Sequence, residues 1–179
     1  MGLGIGVAVV STVLLGIATH AAAAGRLTCT AALTPQIVAI ARKWARVRGL
    51  PVAWVLATIQ IESGGQTCRV GDAGGRSVGL MQVNTVAHAD MMRKMGLSYS
   101  DLLRPDQNIR IGTQILRNRW ELVHAATGGQ STVPIGTLVA LAYRGPERTV
   151  EAIRSGGPLP YPERAARWNT ALSETAPLV

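Results

Sequence analysis

PVAWVLATIQIESGG, residues 51–65, reads as a helix with a carboxylate at its end. Pro51 opens it, Val52, Val55, Leu56 and Ile59 recur at helical spacing, and Gly64-Gly65 stops it. Glu62 falls in the last turn, three residues after Ile59 and seven after Val55, on the face that packs inward. A carboxylate there is poorly solvated and sits at the negative end of the helix dipole. Both effects favour the protonated form and predict a raised pKa, which is what a general acid needs near neutral pH. On the residues alone, Glu62 can equally reach solvent or cap a neighbouring backbone.

Upstream, Thr34-Pro35 pairs an N-cap with proline at the first helical position. Ile37, Ile40, Trp44 and Val47 follow at helical spacing until Gly49, with Arg42, Arg46 and Arg48 toward water. Downstream, residues 64–79 hold six glycines and no helical period, the composition of a functional loop. A helix is expected next from a cap at Asn84 or Thr85, with Val86 and Met91 or Met92 inward, to Gly96. A short turn follows from Ser100 to Leu103. A longer helix, capped by Asp106, carries Ile109, Leu116, Trp120 and Val123 on one face as far as Gly128-Gly129. The run from Ile135 to Tyr143 is so uniformly apolar that it marks the domain centre. Val150 and Ile153 belong to another short helix, and Glu163 to Leu172, with Trp168, forms the last. No segment alternates as a strand does, and no internal repeat occurs. The chain therefore reads as all-α, one domain from Ala31 to Leu172.

Composition narrows the partners. Eighteen Lys plus Arg against ten Asp plus Glu give a net charge of +8, and sixteen of the cations are arginine, a balance that favours anionic partners. The arginines are scattered singly along helices without aromatic interleaving, so nucleic acid is not expected. From Leu3 to Ala18 there is no charge, and Ala-x-Ala patterns end at Ala23 or Ala24. Residues 1–24 read as a secretory signal peptide, which makes the protein periplasmic or secreted. No Lys or Arg precedes the apolar run and four glycines dilute it, so an uncleaved N-terminal membrane anchor is the alternative. In an oxidising compartment the two cysteines, Cys29 and Cys68, would be free to pair. The bridge would close a loop of about 40 residues and stabilise by roughly 3 to 4 kcal/mol. His88 and His124 lie on different helices without ligand spacing, and no phosphate or dinucleotide fingerprint is present, so neither metal nor cofactor is expected.

Two stretches carry a resemblance: Ile61-Glu62-Ser63-Gly64-Gly65, and Ser77-Val78-Gly79-Leu80-Met81-Gln82-Val83-Asn84. Together they resemble the lytic transglycosylase domain of the soluble lysozyme-like type, in which a glutamate followed by serine ends a helix and a G-L-M-Q element follows. Asn108-Ile109 with Gly112 to Leu116 resembles the family's next helix, and Ala140-Leu141-Ala142-Tyr143 its central one. The resemblance spans roughly residues 35 to 155 and implies a lysozyme-like fold acting on the glycan strands of peptidoglycan. It implies that Glu62 protonates the bond between N-acetylmuramic acid and N-acetylglucosamine. As carboxylate, Glu62 then takes the proton of the muramyl C6 hydroxyl, which attacks C1 and leaves a 1,6-anhydro end.

By the same resemblance Ser63, Ser77, Met81 and Gln82 contact the sugar, and the Tyr143 phenol orients the catalytic carboxyl. Arg144 stands where the family has asparagine after that tyrosine. Small exported domains of this kind are implied in secretion-system or pilus assembly, wall turnover, and phage lysis or penetration. Two rival readings remain: a hydrolytic muramidase, with Asp72 as the second carboxylate, and a non-catalytic wall-binding assembly protein.

Overall fold

The computed structural model describes residues 29–30, 32–71 and 74–179; the expected leader over residues 1–24, Ala31 and Asp72 lie outside the described residues. Helix α1 (Pro35–Arg48) starts where the Thr34 hydroxyl accepts a hydrogen bond from the Ile37 N–H at 3.3 Å, and stops at Gly49 in the left-handed region. It buries Ile37, Val38, Ala41 and Ala45 and leaves Arg42 and Arg46 exposed, while Arg48, expected toward water, is half-buried. Helix α2 (Val52–Ser63) is different: Val55, Leu56, Ala57 and Ile59 are all fully buried, so it is enclosed rather than laid on a surface. It packs against α1 on one side and α7 (Pro162–Thr175) on the other.

Helix α3 (Ala89–Lys94) is short, and a 3-10 turn, Ser100–Leu103, leads into the long α4 (Pro105–Thr127). Helix α5 (Ile135–Arg144) buries every residue from Gly136 to Ala142 and lies between α4, α7 and α6 (Pro146–Ser155). The all-α architecture with α5 at its centre is the one read from the helical periods, and α2 shares that central place. Among the described residues no helix is long and apolar enough to cross a membrane.

The structure corrects the sequence reading at four places. Three two-residue strands, β1 (Val70–Gly71), β2 (Ser77–Val78) and β3 (Val83–Asn84), form an antiparallel sheet, the first two inside the glycine-rich segment and the third just after it. Strands this short are made by backbone bonds and leave no alternation to read. Val86 is 65% exposed, because Asn84 caps a turn there through bonds from the Val86 and Ala87 N–H groups, and α3 begins only at Ala89. Asp106 is not a cap: in the first turn of α4 it accepts bonds from Lys43 Nζ at 2.8 Å and Trp44 Nε1 at 2.9 Å. Helix α7 runs past Leu172 to Thr175, followed by a 3-10 turn over Ala176–Leu178.

Candidate active site

The end of α2 is built to present one side chain. Gly64, at φ 62°, ends the helix in a left-handed cap. The Ser63 hydroxyl secures that end, donating to the Ile59 carbonyl at 3.1 Å and accepting from the Gly65 N–H at 3.2 Å. Ser63 is fully buried in this role, so the expectation that it touches the sugar is corrected: its hydroxyl is turned into the helix end. The adjacent Glu62 side chain is 15% exposed and opens on a cleft of about 380 Å³. The carboxyl does not stand alone there. Arg164 of α7 donates from Nη2 to Glu62 Oε1 at 2.5 Å, and from Nε to the Ala140 carbonyl of α5 at 2.7 Å.

The turn from β2 to β3 forms the facing wall. Asn108 of α4 holds it through three bonds of 2.8 Å: its amide nitrogen donates to the Val78 and Leu102 carbonyls, and its oxygen accepts from the Met81 N–H. Gly79, at φ 77°, is required, since a β-carbon would collide with Asn108 and the Leu102 carbonyl. The Met81 side chain packs against the bare backbone of Gly112 and is fully buried, so it is a core residue and not the expected apolar wall of the groove.

Gln82 follows in the left-handed region at φ 45°, a costly place for a residue other than glycine. Its amide nitrogen is bound to the Arg69 and Gly79 carbonyls, and its oxygen lies against Gly71, where the lack of a side chain makes room for it. The amide is therefore fixed before any ligand arrives. Tyr143 donates to the Met81 carbonyl at 2.9 Å and not to the carboxyl of Glu62. Burial first, and the charge of Glu62 second, hold its phenol well above the usual range, so it stays a neutral donor.

Glu62, Ser77, Gln82 and Tyr143 thus line one cleft, and Ser63 and Met81 stand behind it. Sequence reasoning missed several other members: Arg69, His88, Glu163, Arg164 and Arg167 also line it, as does Arg144. Four arginines against Glu62 and Glu163 make the cleft cationic. His88 adds no charge near pH 7, because burial, and then Arg119, lower its pKa from the ordinary 6.5. Arg164 had a signal that could have found it: Arg164, Trp168, Ala171 and Thr175 fall on the buried stripe of α7. A cation on such a stripe needs a partner.

Cys29 and Cys68 form a disulfide, with sulfurs 2.02 Å apart. It ties the start of the described chain to the loop that follows Glu62. The Thr30 N–H donates to Thr67 Oγ1 at 3.0 Å, and the Thr30 hydroxyl to the Gly65 carbonyl at 3.3 Å. The carboxylate's own loop is thereby anchored from outside the helical core.

A family model described as Transglycosylase SLT domain matches residues 39–155, which includes Glu62, the sheet, α4 and α5. A search of curated proteins finds no match to the chain.

Proposed function

The chain belongs to the transglycosylase SLT domain family, and on that premise we propose that it is an exported lytic transglycosylase with Glu62 as its acid and base. The substrate is the glycan strand of peptidoglycan. The bond broken joins C1 of N-acetylmuramic acid to N-acetylglucosamine. The observation that carries this reading is the setting of Glu62: a carboxyl at the end of an enclosed helix, held on one oxygen and opening on a cationic cleft. Glu62 as acid gives its proton to the glycosidic oxygen as the bond to C1 breaks. As carboxylate it then takes the proton of the C6 hydroxyl, which closes on C1, so one group serves both steps. The fixed amide of Gln82 and the Ser77 segment of β2 supply polar groups for the sugars' hydroxyl and N-acetyl substituents. The arginine rim suits an anionic polymer, and the disulfide supports an oxidising compartment.

Hydrolysis with a second carboxylate is the rival chemistry, since paired acids divide the work in most glycoside hydrolases. Glu163, exposed on the first turn of α7, is the other acid lining the cleft among the described residues. Mass spectrometry of fragments released from purified sacculi separates the two. Transglycosylation gives muramyl ends lighter by one water than hydrolysis does, because the C6 hydroxyl and not water captures C1. Fully hydrated fragments would overturn the reading and make Glu163 the base to test. No dye release from labelled sacculi would leave the non-catalytic wall-binding protein in its place.

A further inference from the structure

Arg164 lies beyond the matched segment, which ends at residue 155, yet it is the group that holds the catalytic carboxyl. Its position is an expensive one for a cation. It sits in the first turn of α7, at the positive end of the helix dipole, and is 3% exposed. Its guanidinium is fixed from two sides: Nε donates to the Ala140 carbonyl at 2.7 Å, and Nη2 to Glu62 Oε1 at 2.5 Å. Ala140 belongs to the enclosed helix α5, so the guanidinium is located by a buried element of the core, and Glu62 is located by the guanidinium. Among the described residues, no partner takes Glu62 Oε2.

We propose that Arg164 is the positioning residue of the catalytic carboxyl: it locks Oε1, so that Oε2 alone delivers the proton to the glycosidic oxygen and collects the proton of the sugar hydroxyl. The inference rests on the transglycosylase reading of Glu62. Family resemblance gave the orienting task to Tyr143, but the Tyr143 hydroxyl is committed to the Met81 carbonyl. Arg164 takes its place with a stronger, charge-assisted bond. The planar fork is needed, because one side chain must reach Ala140 and Glu62 at once, which a lysine ammonium cannot do with the same geometry. The carboxylate that Glu62 carries after donating its proton is paired with a cation already in place, with no reorganisation.

The test uses the full chain, with kcat and KM measured on soluble uncross-linked glycan strands and folding checked by thermal melts. Misplacing a reacting group by about 1 Å costs on the order of a hundredfold, so Arg164→Met should lower kcat by about 30- to 100-fold with KM within about threefold. Arg164→Lys, which restores the charge without the fork, should recover about tenfold of that loss. In the Glu62→Gln background the same Arg164→Met change should leave the Kd for glycan strands within about threefold, because Arg164 acts through Glu62 and not on the sugar. If Arg164→Met keeps wild-type kcat while Glu62→Gln is inactive, the proposal fails and the transglycosylase reading stands. If Arg164→Met weakens binding in the Glu62→Gln background, Arg164 shapes the groove and the proposal fails. If Glu62→Gln is itself active, the underlying reading fails first. Should Arg164→Met not fold, Arg164→Lys decides, and wild-type kcat in that variant overturns the proposal.

Discussion

Where α7 meets α2, Arg164 and Glu62 form an ion pair with side chains 4% and 15% exposed; where α1 meets α4, Lys43 and Asp106 form one with side chains 55% and 39% exposed. The atoms are nearly as close in the second pair, at 2.8 Å, as in the first, at 2.5 Å. Distance therefore does not separate them, and burial does. The outer pair is screened by water and contributes at most about 1 kcal/mol. The inner pair gives up hydration on both ions, a penalty that an apolar pair of similar size would avoid. A domain that needed only cohesion at this seam would do as well with leucine and methionine. The position of Glu62 at the mouth of a cleft gives the chemical reason for keeping charge there.

The largest break in the comparison is in activity. On the proposed reading, Glu62→Gln preserves shape and removes both the proton donor and the base. Acid and base catalysis each contribute about 100- to 10,000-fold, so dye release from sacculi should fall by at least roughly a thousandfold. Asp106→Asn, on the outer face, should leave the rate within about twofold. Comparable losses in both variants would show that global stability, and not chemistry, was being read.

Stability gives the next largest contrast. Arg164→Met leaves the Glu62 carboxylate without its cation and should cost about 2 to 4 kcal/mol, a little below the range for a fully buried pair because Glu62 borders the cleft. Removing the partner as well, in Glu62→Gln/Arg164→Met, should recover most of that loss, since no uncompensated charge remains. Lys43→Met should change stability by less than about 1 kcal/mol. Denaturant melts on the four proteins suffice, and a double variant no more stable than Arg164→Met would mean that packing, not charge, sets the cost.

The same contrast explains what the sequence made legible. Helices declare themselves through local chemistry: Thr34-Pro35 and Gly49 bracket α1, Pro51 and Gly64 bracket α2, and all five residues stand at these ends in the structure. Glu62 was legible because its place depends on its own helix. Ser63 and Met81 were misread because membership of a motif does not say which way a side chain points. One hydroxyl bonds back to Ile59, and one thioether fills the notch at Gly112. Arg164 was missed because its partner lies 102 residues away, a pairing set by how α7 docks on α2. The strands escaped notice since each is two residues long, too short to show an alternating pattern in the sequence.

The smallest effect tests the outer pair itself. Burial alone would raise the Asp106 pKa, but hydrogen bonds from Lys43 and Trp44, with the charges of Lys43 and Arg110, hold it below its ordinary 3.8. A carboxyl with a depressed folded-state pKa binds protons more weakly folded than unfolded. Its stabilisation is therefore present above about pH 3.8 and is lost as pH falls through the lower folded value. Asp106→Asn keeps an oxygen that can accept from Trp44 Nε1 and removes the charge that faces Lys43. The stability difference between wild type and Asp106→Asn then reports the charged part alone. At pH 7 and low salt it should be under about 1 kcal/mol, since both side chains are more than a third exposed, and it should shrink further at about 1 M salt as the Debye length falls to about 3 Å. As pH falls through that lower folded value the two proteins should converge. A difference that persists in acid would assign the Asp106 contribution to the neutral Trp44 bond and would leave the outer pair with no electrostatic part to compare with the inner one.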